Sequence, residues 1–222
     1  MIKLTKLDKP AVLIKHENKW KARLLQNIKD GKTSTYYLLS RYSDPEIKQK
    51  IIEETDGKCA YCESKLLHIH HGDIEHIFPK SLDQSLRYEW NNLTLACEIC
   101  NQNKSNKDPN LNHILNPYLD DPEKSIVFFG SFAKNINIKG LCTINYIELN
   151  RSDLILERND RFLDIEFILN KLTDDRIPLD MRKAIYQDLI TVEANNSKKY
   201  ASMVRSAIRC FDIAIPPEVK AA

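Results

Sequence analysis

The chain has almost no net charge. Its 33 Lys and Arg against 31 Asp and Glu leave +2 over 222 residues. Whole-molecule charge therefore does not mark a nucleic-acid binder, and any such role rests on local patches. No apolar run approaches the length of a membrane span, which excludes a helical membrane protein. The opening MIKLTKLDKPAVLIKHENKW lacks the long apolar stretch of a signal peptide, so a cytoplasmic, reducing setting is expected. A glycine-rich nucleotide loop is also missing. A disulfide framework is not expected, because four of the six cysteines fall in Cys-x-x-C pairs and a chain of this size needs no staples.

What is present is concentrated in residues 56–107. Cys59/Cys62 and Cys97/Cys100 are two close thiolate pairs, the pattern that holds one tetrahedral Zn2+. Between and just beyond them lie Glu75-His76, Asn92 and Asn101. A carboxylate, an imidazole and two amides pinned by a zinc clip predict a hydrolytic metal site, in which zinc holds the frame and a harder ion supports the chemistry. Hard divalent ions prefer oxygen, so Glu75 and Asn101 are the candidate ligands. Adjacent strand residues point to opposite faces, which leaves His76 for a separate role. Lys104 is three residues after Asn101 and shares its helix face, within reach of a phosphate; Lys107 would extend that contact.

The string Asp73-Ile74-Glu75-His76-Ile77-Phe78-Pro79-Lys80-Ser81, then Trp90-Asn91-Asn92-Leu93, then Cys97-Glu98-Ile99-Cys100-Asn101-Gln102-Asn103-Lys104 resembles the HNH endonuclease motif. Downstream, His113–Glu123 and Thr143–Arg151 resemble the HNH nucleases of the Septu antiviral system (PtuB-like proteins) and those found with retrons. The resemblance implies that Glu75 holds Mg2+ or Mn2+, that His76 is the general base, that Asn101 completes the metal site, and that Asn92 ties the loop and orients His76. It implies an antiphage nuclease acting on DNA, or on RNA such as tRNA in a retron setting, with a PtuA-like ATPase as partner. Since the chain has no nucleotide loop of its own, ATP control would come from that partner. A zinc-ribbon binding module without catalysis is the competing reading, and it has no use for Glu75, His76, Asn92 and Asn101.

The expected fold is α+β: a ββα-metal HNH core with a structural four-cysteine zinc site, flanked by N-terminal helices and a C-terminal helical region. Residues 1–43 form an arm and helix, with 1–14 extended and 17–29 helical on the Trp20, Leu24, Ile28 repeat. Residues 44–110 hold the nuclease core. Its first helix is capped by Asp44 with Pro45 at the first turn and stops at Gly57. Lys65–His71 and Asp73–Phe78 read as a hairpin turning at Gly72, followed by a short strand at 92–96 and a helix over 97–107. Residues 111–150 read as irregular cover, with 136–147 as strand or loop. Residues 151–222 read as three helices that support the core or dock a partner, where Lys198, Lys199, Arg205 and Arg209 offer a basic face and Pro216-Pro217 close the series. Cys142 and Cys210 are expected as core thiols. His68, His70 and His71 are expected to be exposed or to face substrate.

Overall fold

The computed structural model describes residues 1–66 and 72–221. The chain divides into two compact units, Lys3–Asp120 and Asp121–Ala222, the latter together with Met1–Ile2. Among the described residues no helix is long and apolar enough to cross a membrane.

In the first unit the arm over residues 3–10 is extended and tied down. Leu4 N donates to Pro117 O at 2.9 Å, Trp90 Nε1 to Leu7 O at 2.8 Å, and the Lys6 ammonium lies 3.0 Å from the buried Glu54 carboxylate. Helix α1 runs over Ala11–Lys29. It starts earlier than its apolar repeat suggested, because Pro10 stands at the N-cap, where its missing N–H costs nothing. Val12-Leu13-Ile14 thus belongs to the helix rather than to the arm. Leu13, Glu17 and Leu24 form its buried side. Helix α2 is the single turn Tyr36–Leu39, capped by the Thr35 hydroxyl. Helix α3, Pro45–Glu54, starts as expected: the Asp44 side chain accepts from Glu46 N, and Pro45 fills the first turn. It ends before Asp56 and Gly57, both left-handed at φ 53° and 66°, a conformation that glycine adopts without Cβ strain.

Strand β1, Asp73–His76, pairs antiparallel with β2, Leu93–Ala96, in the register Glu75 to Thr94 and His76 to Leu93. Helix α4, Glu98–Lys104, follows, so the ββα unit stands. The described partner of its first strand is β2. Residues 67–71 of the expected hairpin, with His68, His70 and His71, lie outside the described residues, and Lys65 makes an isolated bridge to Lys58.

The second unit begins with the hairpin β3, Ile126–Phe129, and β4, Phe132–Asn135. Residues Ile138–Ile147 are helical, as α5, rather than strand or loop. The Asn137 side chain caps α5 by accepting from Gly140 N at 3.0 Å. Gly140 lies so close to Ser125 that an added Cβ would meet its carbonyl oxygen at 1.9 Å. The β-branched residues of this stretch are tolerated because Thr143, Ile144 and Ile147 bury one face.

Helices α6 (Ser152–Leu172), α7 (Leu179–Asp188), α8 (Ala201–Phe211) and the short α9 (Pro217–Lys220) complete the unit. Pro217 thus opens a last turn instead of closing the series. Ile165, Leu169, Leu172, Leu189, Val204 and Ala207 share one core, in line with the expected stripes. Val192 turns outward, where α7 widens into a π-helical turn over Leu189–Glu193. The basic face is largely neutralised: Arg205 Nε lies 2.9 and 3.1 Å from the two Glu123 oxygens, Arg209 Nη1 is 3.5 Å from the same carboxylate, and Lys198 is 3.8 Å from Glu193. Cys142 is half-buried and Cys210 exposed, so neither is a core thiol.

Candidate active site

The zinc clip is built by two tight turns. Cys59 and Cys62 occupy the knuckle after α3, closed by Glu63 N donating to Cys59 O and Cys59 N to Ser64 O, both at 3.0 Å. Ala60 N donates to Leu95 O at 2.8 Å and fastens the knuckle to β2. Cys97 is the N-cap of α4 and Cys100 lies in its first turn. The four sulfurs lie within 4.8 Å of one another, with Cys62 and Cys97 at 3.9 Å. Tetrahedral Zn–S bonds of about 2.3 Å place sulfurs about 3.8 Å apart, so the set fits Zn2+. Burial pushes the Cys59 thiol up, whereas hydrogen bonding led by Cys100 draws Cys62 and Cys97 down.

At the other end of the ββα unit, Glu75, His76, Lys80 and Asn101 line one pocket of about 260 Å³. His76 is the last residue of β1, and it opens on the same pocket as Glu75 despite the strand alternation. Its Nε2 lies 2.9 Å from Arg87 O. A carbonyl only accepts, so Nε2 carries the proton and Nδ1 is left as the acceptor, with Lys80 Nζ at 3.4 Å. Burial, then the Lys80 charge, holds the imidazole neutral by drawing its pKa down to about 3. The Tyr42 ring stands edge-on to the imidazole at 4.7 Å.

Glu75 is buried and paired with Lys104, whose Nζ lies 2.7 Å from its carboxylate and donates to His76 O at 2.9 Å. Burial pushes the Glu75 carboxyl up against the opposing pull of Lys104. The Lys104 side chain is 1% exposed, turned into the site rather than toward solvent. Lys107 donates to Asn103 O at 2.8 Å. Asn101 Nδ2 donates to Asp73 Oδ2 at 3.0 Å, which orients the amide so that its oxygen could serve as a metal ligand. Asn92 clasps the loop: its oxygen accepts from Phe78 N at 2.7 Å, and its nitrogen donates to Phe78 O at 2.9 Å and to Leu86 O at 3.3 Å.

Residues 59–107 match the HNH endonuclease family model. The chain carries an HNH endonuclease domain. An HNH domain hydrolyses phosphodiester bonds, so the protein is a nuclease and its substrate a nucleic acid. The chain is 29% identical to the Septu protein PtuB of Bacillus thuringiensis, over 94% of its own length and 82% of that protein. It is 27% identical to the Septu protein PtuB of Bacillus mycoides (strain KBAB4), over 77% and 76%.

Four groups that meet the side chains of this pocket were not singled out from sequence. Asp73 had a readable signal, since it is two residues before Glu75 and shares its strand face. Lys80 lay in the motif string itself. Tyr42 and the Arg87 carbonyl had none: one arrives from a distant turn, and the other is a backbone atom.

The donor set fits a hard divalent ion in kind. Mg2+ keeps several waters and takes one or two carboxylates, and the pocket offers one carboxylate and one amide oxygen. Lys104 is the cation at Glu75 in this structure.

Proposed function

We propose that this chain is the nuclease subunit of an antiphage system of the Septu type, that it cuts DNA, and that a PtuA-like ATPase controls it. The similarity to PtuB supports the setting and the partner. One observation carries the chemistry: His76, fixed through Nε2 on Arg87 O, presents an unprotonated Nδ1 to a pocket that also holds Glu75 and Asn101.

In this reading Nδ1 takes the proton of the attacking water. Arg87 O receives the Nε2–H and stabilises the imidazolium that forms. Glu75 and Asn101 hold Mg2+ or Mn2+, which supplies charge relief at the phosphate and at the leaving oxygen. Asn101 is aimed by Asp73, and Lys104 acts through Glu75 by keeping its carboxylate in place. Asn92 fixes the loop from Phe78 to Leu86, next to the carbonyl that holds His76. Cys59, Cys62, Cys97 and Cys100 carry a structural Zn2+ and no chemistry.

The test is a cleavage panel. Zinc-loaded protein, alone and with a co-expressed PtuA-like ATPase, is incubated with Mg2+ or Mn2+ and supercoiled DNA, linear DNA or tRNA, beside His76→Ala. DNA cutting that needs both His76 and the metal is expected. Cutting confined to tRNA overturns the DNA assignment in favour of a retron-type RNA effector. Equal cutting by His76→Ala overturns the general base.

A further inference from the structure

The turn that delivers Tyr42 to His76 carries an unused aromatic surface. Tyr36 and Tyr37 are adjacent in α2 and are 84% and 66% exposed. Single exposed tyrosines are ordinary. Two in succession, on a helical turn held rigidly beside a catalytic pocket, are not accounted for by packing.

The turn is rigid because its carbonyls are caught from the catalytic side. Tyr88 Oη donates to Leu38 O at 2.7 Å, and Arg87 Nη1 donates to Leu39 O at 3.0 Å. Arg87 thus fixes two things: its carbonyl holds the His76 ring, and its guanidinium holds the turn. Leu38 is buried beneath. The Arg41 guanidinium lies 3.8 Å from the centre of the Tyr37 ring, and its Nε donates to Tyr37 O at 3.0 Å. That clamp orients the ring from one face. The next residue, Tyr42, meets the His76 ring, with Lys80 Nζ 4.9 Å from the centre of Tyr42. Aromatic faces and a guanidinium therefore follow one another along seven residues, Tyr36–Tyr42, and the last ring meets the His76 imidazole.

We propose that Tyr36 and Tyr37, braced by Arg41, form a stacking platform for unpaired bases of the strand being cut. This rests on the nuclease reading and narrows its substrate class to strands whose bases are free to unstack. Every base has a π-face, so such a platform tolerates any sequence, and it gains little from a duplex whose bases are already stacked. The turn is poor in side chains that read a groove edge: Tyr36, Tyr37, Leu38 and Leu39 include no amide, the Ser40 hydroxyl donates to Tyr37 O at 3.4 Å, and Arg41 is engaged on Tyr37.

The experiment measures binding in the His76→Ala background, without divalent metal, so that nothing is cut. The probes are a labelled single-stranded DNA, the RNA of the same sequence and the blunt DNA duplex, read by fluorescence anisotropy. Tyr36→Ala/Tyr37→Ala is expected to weaken single-strand binding by about 10-fold or more and to leave the duplex unchanged. Tyr36→Phe/Tyr37→Phe keeps the rings and is expected to keep wild-type affinity. The DNA and RNA arms show which strand the platform favours. The proposal is overturned if the alanine pair binds like wild type, if the phenylalanine pair loses as much as the alanine pair, if duplex binding falls equally, or if no single strand binds at all. Cleavage with His76 intact separates the two levels. Metal- and His76-dependent cutting of single-stranded DNA that the alanine pair leaves unchanged removes the platform and leaves the nuclease. A single-strand binding difference in a chain that cuts nothing, alone or with the co-expressed PtuA-like ATPase, leaves the platform and removes the nuclease.

Discussion

Lys104 reaches from the end of α4 to Glu75 on β1, 2.7 Å from its carboxylate, with both side chains buried. The residue that sequence placed near the phosphate is spent inside the site, as the counter-ion of the proposed metal ligand. Two charges out of water are tolerated together and not singly. The pair therefore couples the Glu75 carboxylate to the helix that also carries Cys100 and Asn101.

Lys104→Met is expected to leave Glu75 buried without a counter-charge and to cost about 3 kcal/mol or more of stability, measured by urea unfolding. If the divalent ion binds where Lys104 now sits, saturating Mg2+ should stabilise Lys104→Met more than wild type. Equal stabilisation of the two proteins would show that the ion does not take the place of Lys104 at Glu75.

The zinc clip and the catalytic pocket should separate cleanly. Zinc in small four-thiolate sites contributes on the order of 10 kcal/mol or more of folding energy. Cys59→Ser is expected to lose bound zinc and to melt far lower. His76→Ala is expected to keep one zinc and near-wild-type melting while cleavage slows by about 100-fold or more. Zinc content by mass spectrometry, melting and cleavage on the same three samples check the contrast, and loss of zinc from His76→Ala would show that the two sites are not independent.

The two centres differ in how far they could be read. The cysteines were legible because metal ligation is written in short spacing, and the sulfurs converge as that spacing requires. Asp44-Pro45 was legible because a cap is a local event. The register of β1 on β2 was not: alternation in Asp73–Phe78 fits several offsets, and only the fold sets Glu75 opposite Thr94. Helix α5 was missed because Ile138, Thr143, Ile144 and Ile147 favour strand locally, while burial of one face decides for helix. The anchor of His76 was beyond sequence altogether, since any residue at position 87 presents a carbonyl.

Acid should cost this protein stability through His76. Its imidazole titrates near pH 6.5 in the unfolded chain and at about 3 when folded. Between those values the unfolded chain holds a proton that the folded chain does not. Stability from this group is therefore complete above pH 6.5 and drains as the pH falls toward 3, by up to about 1.4 kcal/mol per pH unit. His76→Gln removes the titration and leaves the zinc thiolates in place, so the wild type should lose stability more steeply than His76→Gln between neutral and mildly acidic pH. Parallel curves in denaturant titrations would show that the imidazole is solvated in the folded state.

Asn92 is the point where structure and catalysis can be told apart. Its side chain is buried and pairs with both backbone groups of Phe78 and with Leu86 O. Its hydrogen bonds go to the loop and not to His76, whose ring is held by the carbonyl of Arg87, the residue after Leu86. Asn92→Ala strands these backbone groups, at about 1–3 kcal/mol for each that stays buried and unpaired, and frees the loop. Asn92→Asp retains an acceptor for Phe78 N but sets a carboxylate against two carbonyls, so it should be at least as damaging. If Asn92 works through the loop, cleavage in both variants should fall because less of the protein holds His76 in place. Activity should then return toward wild type on cooling or with a stabilising osmolyte. A kcat that stays low in fully folded Asn92→Ala, with an unchanged KM, would instead give the amide a direct part at the phosphate.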